Sequence, residues 1–285
     1  MSQIIVPGSG PLSAKLWIIG EAPGEKEVKE LCPFIGPSGQ FLRKTISDLG
    51  RDSKNIHFEN LHFKNANVSD LGVLDFQYVD DCSVLNCKFT NNYNSAAGNG
   101  GDMSFYQCIL VKVDSCFSDA SGQIVTINNC TNVSILNNTG QSGLSYIMSS
   151  VDGKGIIVSG NYFTNYSDIG IYIDTGEFNF FANTISGHNS NCIGIFNSTD
   201  KIKIINNYLS GTGLTSKGIY TAGDSDSCVI SFNILDGDWD IGIHLDDGDN
   251  NIIMGNCITG SDDAIVIDAT CDRNIVVGNN MQGSA

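Results

Sequence analysis

Carboxylates recur in this chain at fixed distances from a recurring asparagine. Asp168, Asp240 and Asp263 each fall seven residues after one such Asn, just before an apolar run. Asp174, Asp224 and Asp247 each fall nine residues before the next, just after that run. Asp246 and Asp262 lie beside two of them. If the repeats stack, residues in register on adjacent layers lie about 5 Å apart, and on alternate layers about 10 Å apart. The first spacing suits the carboxyl pair of a retaining glycosidase and the second that of an inverting one. Asp240, Asp246, Asp247, Asp262 and Asp263 are therefore the candidate catalytic group. Stacked carboxylates also repel, and a cation or a raised pKa relieves them, so calcium held by carboxylate and carbonyl oxygens is an option. A structural reading stands beside this one, because Asp and Asn are preferred turn residues.

Aromatic rings are the other chemical signal, since sugar faces stack on them. Trp239 lies between Asp238 and Asp240, in an expected turn. Tyr172 and Tyr220 occur in a second set of apolar runs, where a core role is equally open. Cysteines at matching places in the repeat, such as Cys82, Cys108 and Cys130, are expected as buried free thiols. No Cys-x-x-Cys pair occurs, which argues against a zinc or iron–sulfur site.

The element that must position these groups is a repeat of 22 to 26 residues, marked by Asn161, Asn183, Asn207, Asn233, Asn256 and Asn279. Weaker copies are marked by Leu61, Cys87, Ser115 and Asn138. Each copy holds short alternating runs, such as Ile171-Tyr172-Ile173, separated by Gly, Asn, Asp and Ser. Alternation at period two signals strands, and the intervening residues signal turns. The apolar residues do not recur at the helical period, and Leu is too sparse for a leucine-rich solenoid. The expected fold is mainly β: a right-handed, single-stranded parallel β-helix of about ten coils over residues 53–285. Asn pairs such as Asn206-Asn207 are expected to form amide ladders between coils.

Thirty-one acidic residues against fifteen basic ones give a net charge of −16. Such a surface disfavours nucleic acid and anionic membranes. No run is long and apolar enough for a membrane span, and the first twenty residues do not read as a signal peptide.

Residues 1–52 do not share the repeat. Ala14 to Gly20 reads as a buried strand, Gly20 to Gly24 as a tight loop, and Ser38 to Leu49 as a helix with Phe41, Leu42, Ile46 and Leu49 on one face. A strand, glycine loop and helix form a short α/β segment, suited to covering one end of a solenoid.

Two resemblances follow from these stretches. The repeat resembles that of pectin-lyase-like β-helix proteins, over about four fifths of the chain. This implies a fold shared by lyases, hydrolases, tailspikes and inert fibres. Within it, Ser261-Asp-Asp-Ala-Ile-Val-Ile267 resembles the paired-Asp motif of polygalacturonases, whose other motifs do not follow. Arg273 is the only Arg of the repeats, which argues against a lyase. The N-terminal VPGSGPLSAKLWIIGEAPGEKE and CPFIGPSGQFL resemble uracil-DNA glycosylases. That resemblance implies a pocket in which Gly20, Glu21, Ala22, Pro23 and Gly24 lie at the scissile bond, Phe34 stacks on the flipped uracil, and Asn60 reads the base. The family's later His motif and its cluster-binding cysteines have no counterpart here.

The functional expectation is a carbohydrate-interacting or structural β-helical module of viral or phage-appendage type, on a virion or extracellular surface. Its partner would be a polysaccharide or cell-surface glycan contacted through Trp239 and Tyr220. The open coil end suggests a homo-oligomer, most simply a trimer, or a further C-terminal part. The alternatives are a polysaccharide hydrolase using paired Asp, and a uracil-DNA glycosylase with only partial motifs.

Overall fold

Short Val- and Ile-rich runs bounded by turn residues leave each repeat with an apolar face that only a neighbouring repeat can cover. The computed structural model shows how they cover it. It describes residues 55–282 except 65–66, 69–72, 91, 95–100, 120–122, 142–146, 152, 167–168, 189–190 and 197–200, together with the helical Lys26 and Lys29. The chain divides into two units, Met1–Ile56 and His57–Ala285. The strand–loop–helix expected before residue 52 lies outside the described residues.

The second unit is a parallel β-solenoid. All but two of its strands form three files; Asn67–Val68 and Tyr93–Asn94 pair separately. The first is a sheet of ten strands, from Asn55–Glu59 to Ile275–Val277. The other two files belong to one seventeen-stranded sheet. The second file begins with His62–Lys64 and Lys88–Thr90, and the third with Leu74–Gln77 and Gly101–Tyr106. Two long strands, Tyr208–Thr221 and Ile234–Leu245, round the bend and belong to both. Among the described residues the first file has ten strands and the third has fewer, so complete circuits are fewer than the ten coils expected. Among the described residues no helix is long and apolar enough to cross a membrane.

Register keeps like side chains in line. Val111 pairs with Val133 and Val113 with Ile135, and all four are buried. Interior rings stack from coil to coil, Phe63 on Phe89 at 5.0 Å and Phe76 on Phe105 at 4.9 Å. Alternation at period two sends every second residue inward.

The corner after the first file is set by a residue with positive φ, for example Asn137 at 53° and Asn206 at 55°. The buried Asn that follows locks the corner to the next coil. The amide of Asn161 accepts from the backbone N–H of Asn138 at 2.9 Å and from its Nδ2 at 3.0 Å. Its own Nδ2 donates to Ile135 O and to Asn183 Oδ1, both at 2.9 Å. All four bonds that the side-chain amide can make are made, which offsets the cost of burying it. The ladder runs through Asn183, Asn207, Asn233 and Asn256 to Asn279. Cys116 N–H donates to Asn138 Oδ1 at 2.9 Å, so cysteine takes over this position in the earlier coils. All nine described cysteines are free thiols, seven of them buried.

Candidate functional site

The third file presents one outward row that differs from the rest. Its inward neighbours Ile171, Ile193, Ile219 and Ile243 stack in register. The outward row between them is Tyr172, Gly194, Tyr220 and His244. Gly194 makes room for the ring of Phe196: a Cβ there would lie 2.7 Å from that ring. The result is a continuous aromatic run. Tyr172 stacks on Phe196 at 4.8 Å, Phe196 meets Tyr220 edge-on at 5.6 Å, and Tyr220 lies 5.4 Å from His244. The ammonium of Lys217 sits over the Tyr220 ring, 4.1 Å from its centre.

Two carboxylates close the end of this run. Leu245 pairs with Ile267, so Asp246 and Asp268 follow equivalent strand positions on adjacent coils. The Tyr220 hydroxyl donates to Asp246 Oδ2 at 2.8 Å, and His244 Nε2 lies 3.3 Å from Asp268 Oδ1. Donor atoms of His244, Asp246 and Asp268 all lie within 4.8 Å of one another. The hydroxyl of Tyr220, then the neighbouring Asp268, His244 and Lys217, hold the Asp246 carboxyl below its usual range against the effect of burial. Burial first, then Asp246, pushes the Tyr220 hydroxyl up to about 12. The group therefore offers an ionised carboxylate beside a phenol that keeps its proton. One imidazole nitrogen and two carboxylates could also hold a divalent cation, and the imidazole suits a transition metal better than the calcium expected from the sequence, whose ligands are oxygen.

Of the residues expected to act, Asp246 is the one the cluster contains, and Tyr220 borders it. The Asp240–Asp263 pairing needs correction: Asp263 pairs with Ile241, not Asp240. The strand Ile234–Leu245 rounds the bend without the Gly260–Asp262 turn of the next coil, which shortens the local spacing by one residue. Asp262 and Asp263 are exposed, and Asp240 is half-buried. Asp247 accepts from the N–H of Gly248 at 2.9 Å, a turn bond. Trp239 is also corrected. It is 1% exposed, with its ring in space left by glycines: a Cβ on Gly211 would lie 2.1 Å, and one on Gly218 2.8 Å, from ring atoms. It is core, and no sugar can reach it. Asn60 occupies the first positive-φ corner, at 56°, and donates its N–H to Leu85 O at 3.0 Å. Gly20 to Gly24, Phe34 and Asp168 lie outside the described residues.

Asp268, His244, Lys217 and Phe196 were not anticipated from the sequence as members of a site. The signal for Asp268 was present, because it stands 22 residues after Asp246 behind an equivalent apolar run. A separate ladder was also missed. Asp226 accepts from Asp249 N–H at 2.6 Å, and Asp249 from Asp272 N–H at 2.7 Å. Arg273 pairs with Asp249 at 2.8 Å. These carboxylates tie one turn to the next and are structural.

Comparison with known proteins gives two family matches, the first of which runs past the boundary at Ile56 into the first strands of the solenoid. Residues 7–87 match the family model of the uracil DNA glycosylase superfamily, and residues 196–285 that of the periplasmic copper-binding protein NosD. The type-4 uracil-DNA glycosylase of Sulfurisphaera tokodaii is 46% identical over 44 residues, 15% of this chain and 20% of that protein. That of Pyrobaculum aerophilum is 44% identical over 45 residues, 16% of this chain and 23% of that protein. The chain thus spans about a fifth of the length of the glycosylases it matches. Among solved structures, the DFA-IIIase of Arthrobacter chlorophenolicus A6 has a TM-score of 0.51 at 12% identity, over 86% of this chain and 82% of that one. The tailspike protein of E. coli bacteriophage HK620 has a TM-score of 0.49 at 10% identity, over 88% of this chain and 60% of that one. The chain is a parallel β-helix, carrying an N-terminal segment similar to uracil-DNA glycosylases.

Proposed function

We propose that this β-helix binds polysaccharide along the third file, with sugar rings stacking on Tyr172 and Tyr220. Hydroxyls would bond to His244, Asp246 and Asp268. The observation that carries the reading is the aromatic run from Tyr172 through Phe196 to Tyr220, ending at hydrogen-bonding groups. Apolar faces beside polar acceptors suit the two-sided chemistry of a sugar ring. The acidic, uniform solenoid suits a display role at a virion or cell surface. The test is affinity electrophoresis through gels containing different polysaccharides. Retardation that falls in Tyr220→Ala and His244→Ala, with the fold intact by circular dichroism, supports the proposal. Retardation unchanged in both variants sinks it.

Hydrolysis is the second reading, favoured by one observation. Asp246 and Asp268 bring carboxylate oxygens within 4.8 Å of each other. A retaining glycosidase separates its two carboxyl groups by about 5 Å. Release of reducing ends from a bound polysaccharide, lost in both Asp246→Asn and Asp268→Asn, would establish it. Binding without release would leave a binding module.

A further inference from the structure

The outer face of the second file carries a different pattern, sharing no residue with the site above. In register, coil by coil, its outward row reads Phe117, Thr139, Tyr162, Thr184 and Tyr208. A ring stands on every second coil, with threonine between. Interior rings do the opposite and stack on adjacent coils at 4.9 and 5.0 Å. Alternation is therefore not how rings pack when this solenoid only has to fill space. Tyr162 has threonine on both sides, Tyr208 has Thr184 on one side and Ile234 on the other, and Phe117 has Thr139 on one side and the Lys88 ammonium over its ring at 5.2 Å on the other; Tyr162 and Tyr208 are 51% and 38% exposed. Coils are about 4.8 Å apart, so the rings repeat at about 10 Å.

Two residues further along the same strands lies a second outward row: Gln141, Thr164, Ser186, Ser210 and Asp236. Every member is a hydrogen-bonding side chain. Asp236 joins the two rows, accepting from the Tyr208 hydroxyl at 3.3 Å and from Thr259 Oγ1 at 3.0 Å. Evenly spaced rings beside a polar rail match an extended polysaccharide, which presents apolar ring faces and hydroxyl edges. In a β-1,4-linked chain alternate sugars face the same way, and that disaccharide repeat is about as long as two coils.

We propose that Phe117, Tyr162 and Tyr208 form a second binding site, for a neutral β-1,4-linked glycan lying along the solenoid axis. Neutrality follows from charge. Asp236 sits in the rail and the chain carries −16 overall, so a polyuronate would be repelled. Sugar-to-ring stacking sets the affinity, and the spacing of the rings sets the register.

Isothermal titration of the full chain with cellohexaose tests this, with hexagalacturonate and cellotriose for comparison. The expected result is cellohexaose binding that survives Tyr220→Ala. It should weaken at least tenfold in Tyr162→Ala/Tyr208→Ala, and by a similar factor in Thr184→Tyr. The last variant keeps every ring but fills a gap and destroys the spacing. Cellotriose, which spans fewer rings, should bind more weakly than cellohexaose. Absence of cellohexaose binding overturns the proposal, as does binding that Tyr220→Ala abolishes. The latter result leaves the third-file reading standing. Binding lost in Tyr162→Ala/Tyr208→Ala but unchanged in Thr184→Tyr would overturn the role given to the ring spacing. Equal or tighter binding of hexagalacturonate overturns the assignment to neutral glycans.

Discussion

The hydroxyl of Tyr220 donates to Oδ2 of Asp246 across one coil, at 2.8 Å. This bond stabilises the charged form of the carboxylate and is the largest influence holding it below its usual range. Tyr220→Phe keeps the ring and removes the donor. The Asp246 carboxyl should then titrate at higher pH than in the parent chain, seen directly by carbon-detected NMR. Its folded pKa is depressed, so its contribution to stability is present above the unfolded pKa and lost as pH falls through the folded one. An unchanged titration would mean that Asp268, His244 and Lys217 suffice.

A buried carboxyl elsewhere should give the opposite pH dependence. Asp102 is 1% exposed, accepts from Asn92 Nδ2 at 3.0 Å and also accepts from the Ser118 hydroxyl. Burial pushes its pKa up to about 7, although both hydrogen bonds oppose this. Between the unfolded value near 4 and the folded one the native state holds the extra proton, so stability falls as pH rises across that interval. The thermal midpoint should decline from pH 5 to pH 7.5. Asp102→Asn should flatten that decline, as followed by scanning calorimetry.

The asparagine ladder gives a test of the fold. Asn207→Ala removes the acceptor of two bonds from Asn183, at 3.0 and 2.9 Å, and a donor to Phe180 O. Each polar group left buried and unpaired costs about 1–3 kcal/mol. Urea unfolding should show a loss of several kcal/mol, whereas Asn206→Gly at the neighbouring positive-φ corner should be close to neutral.

Trp239→Ala should act through stability alone. Truncating a buried Trp costs about 3–5 kcal/mol. Chemical denaturation should register that loss, while glycan retardation of the folded protein stays at the parent level. A specific loss of retardation would mean that the ring is reached by sugar after all.

The glycosylase-like segment should not release uracil. Its relatives are matched over about a fifth of their length, and excision needs a closed pocket and a basic groove for phosphates. The full chain, incubated with uracil-containing single-stranded DNA, should leave it intact. Release that disappears in Glu21→Ala and Phe34→Ala would reverse this.

The repeat was legible in the sequence because a side chain that bonds to its own counterpart must recur at the coil period. Asn161, Asn183 and Asn207 do so. The function was harder to read, because outward residues answer to no such rule. Asp246 and Asp268 meet through pairing of their strands, and the marker spacing misplaced Asp263 by one residue because a long strand rounded a bend that its neighbour crossed with a turn. Trp239 was misread since its flanking aspartates suggested a turn. The glycines that make room for its ring, Gly211 and Gly218, lie in the preceding coil and are invisible to a local reading. Phe196 was hidden in the same way by its dependence on Gly194.

The ladder carries one more implication. Each amide closes bonds offered by the layer before it and leaves the same offer to the layer after. A genetic insertion or deletion of one whole period therefore hands on an identical docking edge, whereas a change of a few residues breaks it. Such a scaffold can lengthen, shorten or be spliced to foreign sequence at period boundaries while its remaining layers keep their bonding. Its unit of inheritance is the single turn, and a gene of this kind can accept a piece of an unrelated enzyme at one end without having to redesign its core.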